Sequence, residues 1–115
     1  MKRWVAIWLF SLGMISVACE AQDWPRFRGP NGSGISEATT IPVTWTEKDY
    51  NWKVELPGQG YGSPVTWKGS VFVTSADVEV GKRFLLCLDG KTGKERWHRE
   101  FAFSKYKKHK QNSFA

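Results

Sequence analysis

A chain of 115 residues with a formal net charge of +6 has room for one small domain at most. Its two cysteines have no Cys-x-x-Cys spacing, so the sequence supports neither a zinc site nor a redox pair. The uncharged stretch Trp4 to Val17 falls short of the about 20 apolar residues that a spanning helix needs.

Met1-Lys2-Arg3 is basic, the uncharged run follows, and small residues come next in Ser16-Val17-Ala18-Cys19-Glu20-Ala21. A basic start, a short apolar region and small residues at a processing site describe a secretory signal peptide, predicted as a helix over residues 1–21. Cleavage after Ala21 leaves a mature chain of 94 residues starting at Gln22. Cleavage after Ala18 instead leaves Cys19 first, which resembles a bacterial lipoprotein site, with Ser16 where such sites usually carry Leu. Lys2, Arg3 and Glu20 leave with the signal, lowering the net charge from +6 to +5. The expected location is exported, in the periplasm or cell envelope.

Residues 22–50 are predicted as an irregular lead-in. Asp23-Trp24-Pro25-Arg26-Phe27-Arg28-Gly29-Pro30-Asn31-Gly32-Ser33-Gly34 is too rich in Gly and Pro for a regular element. Its rigid groups Trp24, Phe27 and Pro30 suggest a segment strapped onto a surface. From Asn51 the pattern turns to β. Asn51 to Leu56 alternates apolar with polar, as a half-buried strand does. Four more strands are predicted at Ser63 to Trp67, Ser70 to Thr74, Phe84 to Leu88 and Lys94 to Phe101. Lys68-Gly69, the Asp77 to Lys82 loop and Asp89-Gly90-Lys91-Thr92-Gly93 turn the chain between them. Cys87, among alternating apolar neighbours, is expected to be a small buried hydrophobe. The basic run Lys105-Tyr106-Lys107-Lys108-His109-Lys110 is expected to be a solvated loop rather than a nucleic-acid contact.

The sequence also echoes itself. Asn51-Trp52-Lys53-Val54-Glu55-Leu56 and Arg96-Trp97-His98-Arg99-Glu100-Phe101 both have Trp second, Glu fifth and an apolar residue sixth, with the tryptophans 45 positions apart. Four-stranded propeller blades recur at roughly 40–50 residues. More loosely, Ser113-Phe114-Ala115 repeats the lead-in Tyr61-Gly62-Ser63.

Leu86-Cys87-Leu88-Asp89-Gly90-Lys91-Thr92-Gly93-Lys94-Glu95-Arg96-Trp97 resembles the tryptophan motif of the pyrroloquinoline-quinone-like β-propeller repeats, Leu-x-Leu/Ala-Asp-x-x-Thr-Gly-Lys-x-x-Trp. Asp89, Thr92, Gly93 and Trp97 carry that structural motif. Asp23 to Gly32 and Gly60-Tyr61-Gly62-Ser63-Pro64-Val65 are similar to the start of exported bacterial propellers of this kind. The resemblance implies an all-β fold, with blades of four antiparallel strands in a seven- or eight-bladed ring. Residues 51–115 would then be a closing strand, the first blade and the start of a second, in a truncated chain.

What such a ring does is less determined. The leading expectation is a non-enzymatic scaffold that binds other envelope proteins, as the related outer-membrane assembly lipoprotein does, with membrane contact only through a lipid on Cys19. The alternative is a periplasmic quinoprotein alcohol or sugar dehydrogenase, using bound quinone and calcium in blades beyond this chain. No catalytic, cofactor-binding or metal residue is assigned. Asp77 and Glu79 suit a solvated turn, His98 on its alternating strand is expected to be exposed, and His109 lies inside the basic run with no partner carboxylate nearby.

Overall fold

Turn chemistry and two-residue alternation between Pro64 and Ala102 organise one antiparallel sheet. The computed structural model describes residues 22–104, 107 and 109–115. The signal segment 1–21 with Cys19, and Lys105, Tyr106 and Lys108 of the basic run, lie outside the described residues. Strands β1 (Val65–Trp67), β2 (Ser70–Asp77), β3 (Lys82–Asp89) and β4 (Glu95–Ala102) lie in the order β1-β2-β3-β4. The only helical element among the described residues is a 3-10 turn at Glu47–Asp49. It is closed by a capping box in which the Thr46 and Asp49 side chains each accept from the other's backbone end.

Each connection has a local cause. Trp67 pairs with Ser70, so Lys68 and Gly69 alone make the first turn, and both have positive φ (47° and 70°). That is the twist a two-residue hairpin requires. In the second turn the Asp77 carboxylate accepts from the backbone N–H of Glu79 and Val80 at 2.9 and 3.2 Å. Asp77 and Glu79 therefore form the solvated turn that the sequence suggested. In the β3–β4 pair, Cys87 faces Trp97 while Leu88 faces Glu95, which leaves Arg96 as the extra residue of a bulge.

The register sorts the side chains onto two faces. Val65, Phe72, Cys87 and Trp97 form one row across all four strands, and Val73, Leu86 and His98 form a row on the other side. The centre of β2 and β3 is closed off, with Ala76, Leu86, Cys87 and Leu88 buried. Cys87 is thus the buried hydrophobe expected of it. Ser75 is equally buried, and its hydroxyl has no hydrogen-bond partner among the described residues.

Two segments flank the sheet. Trp24 exchanges both backbone hydrogen bonds with Thr66, at 3.1 and 2.9 Å, adding a one-residue bridge outside β1. Asp23 fixes the approach by accepting from Lys68 N–H at 2.9 Å. The lead-in is therefore strapped down at Asp23 and Trp24, whereas Phe27 and Pro30 face solvent.

The predicted strand Asn51 to Leu56 is corrected by the structure: no strand forms there. The alternation is present, yet no sheet edge runs alongside to pair with it. A strand is a property of two chains of backbone rather than one.

Candidate functional site

The turn between β3 and β4 is held by a hydrogen-bond network of its own side chains and backbone. Asp89 sits at its centre. One carboxylate oxygen accepts from Lys91 N–H, Thr92 N–H and the Thr92 hydroxyl at 2.9–3.0 Å. The other receives the Arg96 guanidinium at 2.6 Å. Backbone bonds Asp89 N–H to Lys94 C=O and Gly93 N–H to Asp89 C=O, each 2.8 Å, close the loop. The hydrogen bond from the Arg96 guanidinium first, and then the Thr92 donors, hold the Asp89 carboxyl well below the usual carboxylate range. The bulge explains how Arg96 reaches this far: it turns back onto Asp89 and also donates to Ser70 Oγ at 2.7 Å.

Gly93, at φ +70°, gives the turn its shape and also a flat floor. The Trp52 indole lies on that floor. A Cβ at position 93 would stand 2.6 Å from Trp52 Cδ2 and Cε3, so only glycine admits the ring. The Trp52 Nε1–H then donates to Gly90 C=O at 3.0 Å. Gly90 N–H is held in turn by Gly69 C=O at 2.9 Å, which braces this turn against the first hairpin. The result is a slot shaped for one indole: a bare glycine below, a carbonyl at one end, and a side-chain network fixing both.

Trp97, 45 positions later in the same sequence context, has different surroundings. It lies on β4 beside Phe72, with ring centroids 6.0 Å apart, and the Arg99 guanidinium lies 5.8 Å from its own centroid. It remains 39% exposed. All four motif residues are therefore found together, but only Asp89, Thr92 and Gly93 build the slot. Trp97 points to no slot within the described chain.

The looser echo also has a spatial counterpart. Ser113 Oγ accepts from Tyr61 N–H at 3.3 Å, and a Cβ on Gly60 would lie 3.1 Å from that of Ala115. Phe114 stacks on Phe103 (centroids 5.4 Å), and its carbonyl accepts from the Arg83 guanidinium at 2.5 Å. The two similar lead-in segments thus run side by side.

Between residues 54–62 and β2 an open concavity of about 590 Å³ is lined by Val54, Leu56, Tyr61, Val73 and Ser75 among others. Its lining holds hydroxyls, the Gln59 amide and apolar groups, and no carboxylate or histidine. His98 is exposed, as expected, with Nδ1 2.7 Å from Glu95 Oε1. Among the described residues no group of three His, Cys, Asp or Glu side chains is placed to hold a metal ion. No helix among them is long and apolar enough to cross a membrane.

Comparison with protein-family models, curated proteins and solved structures finds no match to this chain.

Sequence reasoning missed Gly90 and Ser70 as parts of the site. Gly90 carried a signal, since it occupies the first variable position of the Asp-x-x-Thr-Gly turn. Ser70 carried none, because its contact with Arg96 depends on the bulge.

Proposed function

We propose that this sheet is one blade of an exported β-propeller of the pyrroloquinoline-quinone-like repeat type, and that the ring is a protein-interaction scaffold at the cell envelope. One observation carries the proposal: Trp52 is seated on Gly93, while its sequence counterpart Trp97 is presented unseated. A Trp that precedes a blade locks onto the turn within it, and the Trp that ends the blade is offered to the next. Repetition of that contact joins blade to blade in a ring. The adjacency of Tyr61 and Ser113 supports the same reading, because successive blades bring their lead-ins together at the axis.

The scaffold role rests on what the site is made of. The Asp89–Gly93 turn uses its charged and hydroxyl groups on itself, as a structural joint does, and the blade presents its loops on a stiff base. Membership of envelope assemblies follows if residues 1–21 direct export, with Cys19 lipidated or removed.

The test is made on the protein isolated from the cells that produce it. Mass spectrometry is expected to find a mature start at Gln22 or a lipidated Cys19, and cross-linking in intact cells is expected to join the protein to envelope partners. Retention of Met1 in a cytosolic product would sink the export proposal. Dye-linked alcohol oxidation that appears on adding pyrroloquinoline quinone and calcium would replace the scaffold with a dehydrogenase.

A further inference from the structure

The lead-in loop carries two arginines and an aromatic ring that take no part in holding the sheet. We infer that Arg26, Phe27 and Arg28 form a membrane-surface contact that takes the phosphate headgroups of an anionic phospholipid bilayer. The inference rests on the proposed envelope location and adds a contact made by the protein itself, separate from any lipid on Cys19.

The loop is shaped before it meets a partner. Gly29 N–H donates to Arg26 C=O at 3.0 Å, which sets Phe27 and Arg28 at the corners of a tight turn. Gly32 N–H to Gly29 C=O and Gly34 N–H to Arg28 C=O, at 3.1 and 2.8 Å, close the rest of the loop. The Trp24 ring lies on the buried Gly29, where a Cβ would stand 2.7 Å from it.

Two more glycines make room for the cations. A Cβ at Gly32 would stand 3.0 Å from Arg26 Nη2, and one at Gly34 would stand 3.6 Å from Arg28 Nε. Both arginines therefore lie along the same stretch of backbone, and Arg26 Nε is fixed there by donating to Gly29 C=O at 3.1 Å. Among the described residues neither guanidinium has a carboxylate partner. Asp23, the nearest acid in sequence, accepts from Lys68 N–H instead. Phe27, between the two arginines, is 72% exposed. Arg28 has a φ of +64°, which favours glycine at this place in a turn, so backbone preference does not account for a cation there.

Paired guanidiniums suit phosphate oxygens, and an exposed ring beside them suits the boundary between headgroups and acyl chains. A soluble phosphate would engage the arginines and leave Phe27 in water. Further blades do not close this surface. Neighbouring blades of a ring cover the two faces of the sheet, whereas the loop hangs from the free edge of β1, beyond both. Phe27 stands eight residues after Cys19, so a lipid there would hold the loop within about 30 Å of the bilayer.

Co-sedimentation of the mature protein starting at Gln22 with lipid vesicles tests this. It is expected to bind vesicles containing phosphatidylglycerol in preference to pure phosphatidylcholine, and to bind less tightly as salt is added. Arg28→Gly relieves the backbone while removing one charge. That variant is expected to unfold at no lower urea concentration than the unaltered chain, yet to bind about fivefold more weakly. Phe27→Ala is expected to weaken binding on the order of tenfold.

Equal binding to the two vesicle types, or Arg28→Gly binding as the unaltered chain does, would overturn the inference. So would binding that Phe27→Ala leaves unchanged and free glycerol phosphate abolishes, because the loop would then be a site for soluble phosphate. The mature start, read by mass spectrometry, is scored separately. A Gln22 start without vesicle preference removes the lipid contact alone, and retention of Met1 with vesicle preference removes the location and leaves the contact.

Discussion

Strands β2 and β3 share a sheet with β4, and the three have the same length, yet they occupy different environments. Ala76, Leu86, Cys87 and Leu88 are each about 2% exposed, whereas every residue of β4 is exposed, Trp97 at 39% and Phe101 at 55%. A single sheet can enclose only its central strands, because each face needs a covering layer to exclude water. Here residues 58–60 lie against the end of β2 at Thr74 to Asp77, and β4 is an edge strand paired with β3 on one side, its Trp97 only partly covered beside Phe72. The strand is held by its ladder and by Arg96, while its apolar groups Trp97 and Phe101 remain available. The difference separates what holds this unit together from what it offers to others.

The sharpest way to break that distinction is to cut into the covered side. Leu86→Ala removes a fully buried side chain and is expected to cost about 3 kcal/mol, read from the shift of the urea midpoint. A loss below about 1 kcal/mol would mean that the centre of the sheet is not closed. Gly93→Ala attacks the contact that supplies part of the cover. It places a Cβ 2.6 Å from the Trp52 ring at a φ that disfavours alanine, and is expected to cost about 2 kcal/mol. The same variant should release the Trp52 indole N–H to exchange.

Ser75 probes the covered side in the opposite direction. Its buried hydroxyl lacks a partner, so Ser75→Ala removes an uncompensated polar group and is expected to stabilise the chain by about 1 kcal/mol. Destabilisation of that size would show that the hydroxyl is bonded in solution.

The Asp89 network adds a pH dependence to the turn beneath β4. The folded state holds this carboxyl below its ordinary value of 3.8, so the native chain binds fewer protons than the unfolded one as acid is added. The stabilisation is complete above the ordinary carboxylate range and is lost as pH falls below it toward the depressed folded value. Urea midpoints measured from pH 6 to pH 2 should therefore fall more steeply for the unaltered chain than for Asp89→Asn. Parallel curves would remove the Asp89–Arg96 pair from the account of the turn.

Much of this organisation was legible in the residues. The four strands of the sheet announced themselves through alternation and through Lys68-Gly69 and Asp89 to Gly93, whose turn chemistry is local and needs no partner. Their ends were less legible: β2 runs on to Asp77 and β3 starts at Lys82, because pairing between Ser75 and Phe84, Ala76 and Arg83, carries each strand past its apolar run. Asn51 to Leu56 misled for the complementary reason, having the pattern without the partner. The role of Trp52 was half legible. Its echo of Trp97 marked it as special, but its seat on Gly93 joins residues 41 positions apart and cannot be read from either segment alone. The Thr46-Glu47-Lys48-Asp49 cap was available to inspection as a threonine followed three residues later by an acid.

The finest test of the comparison lies on β4 itself. Phe101 pairs with Arg83 across the ladder and is 55% exposed, so most of its ring is already in contact with water in the folded chain. Truncating it forfeits little burial, and Phe101→Ala is expected to move stability by no more than about 1 kcal/mol, despite removing a larger side chain than Leu86→Ala does. The size of the side chain and the cost of its removal should thus run in opposite order between β4 and β3. If Phe101→Ala instead costs as much as Leu86→Ala, the ring is covered in solution, by another copy or by a segment that closes over β4. The two are told apart by concentration, because cover from another copy makes the cost grow with protein concentration and cover from the same chain leaves it constant.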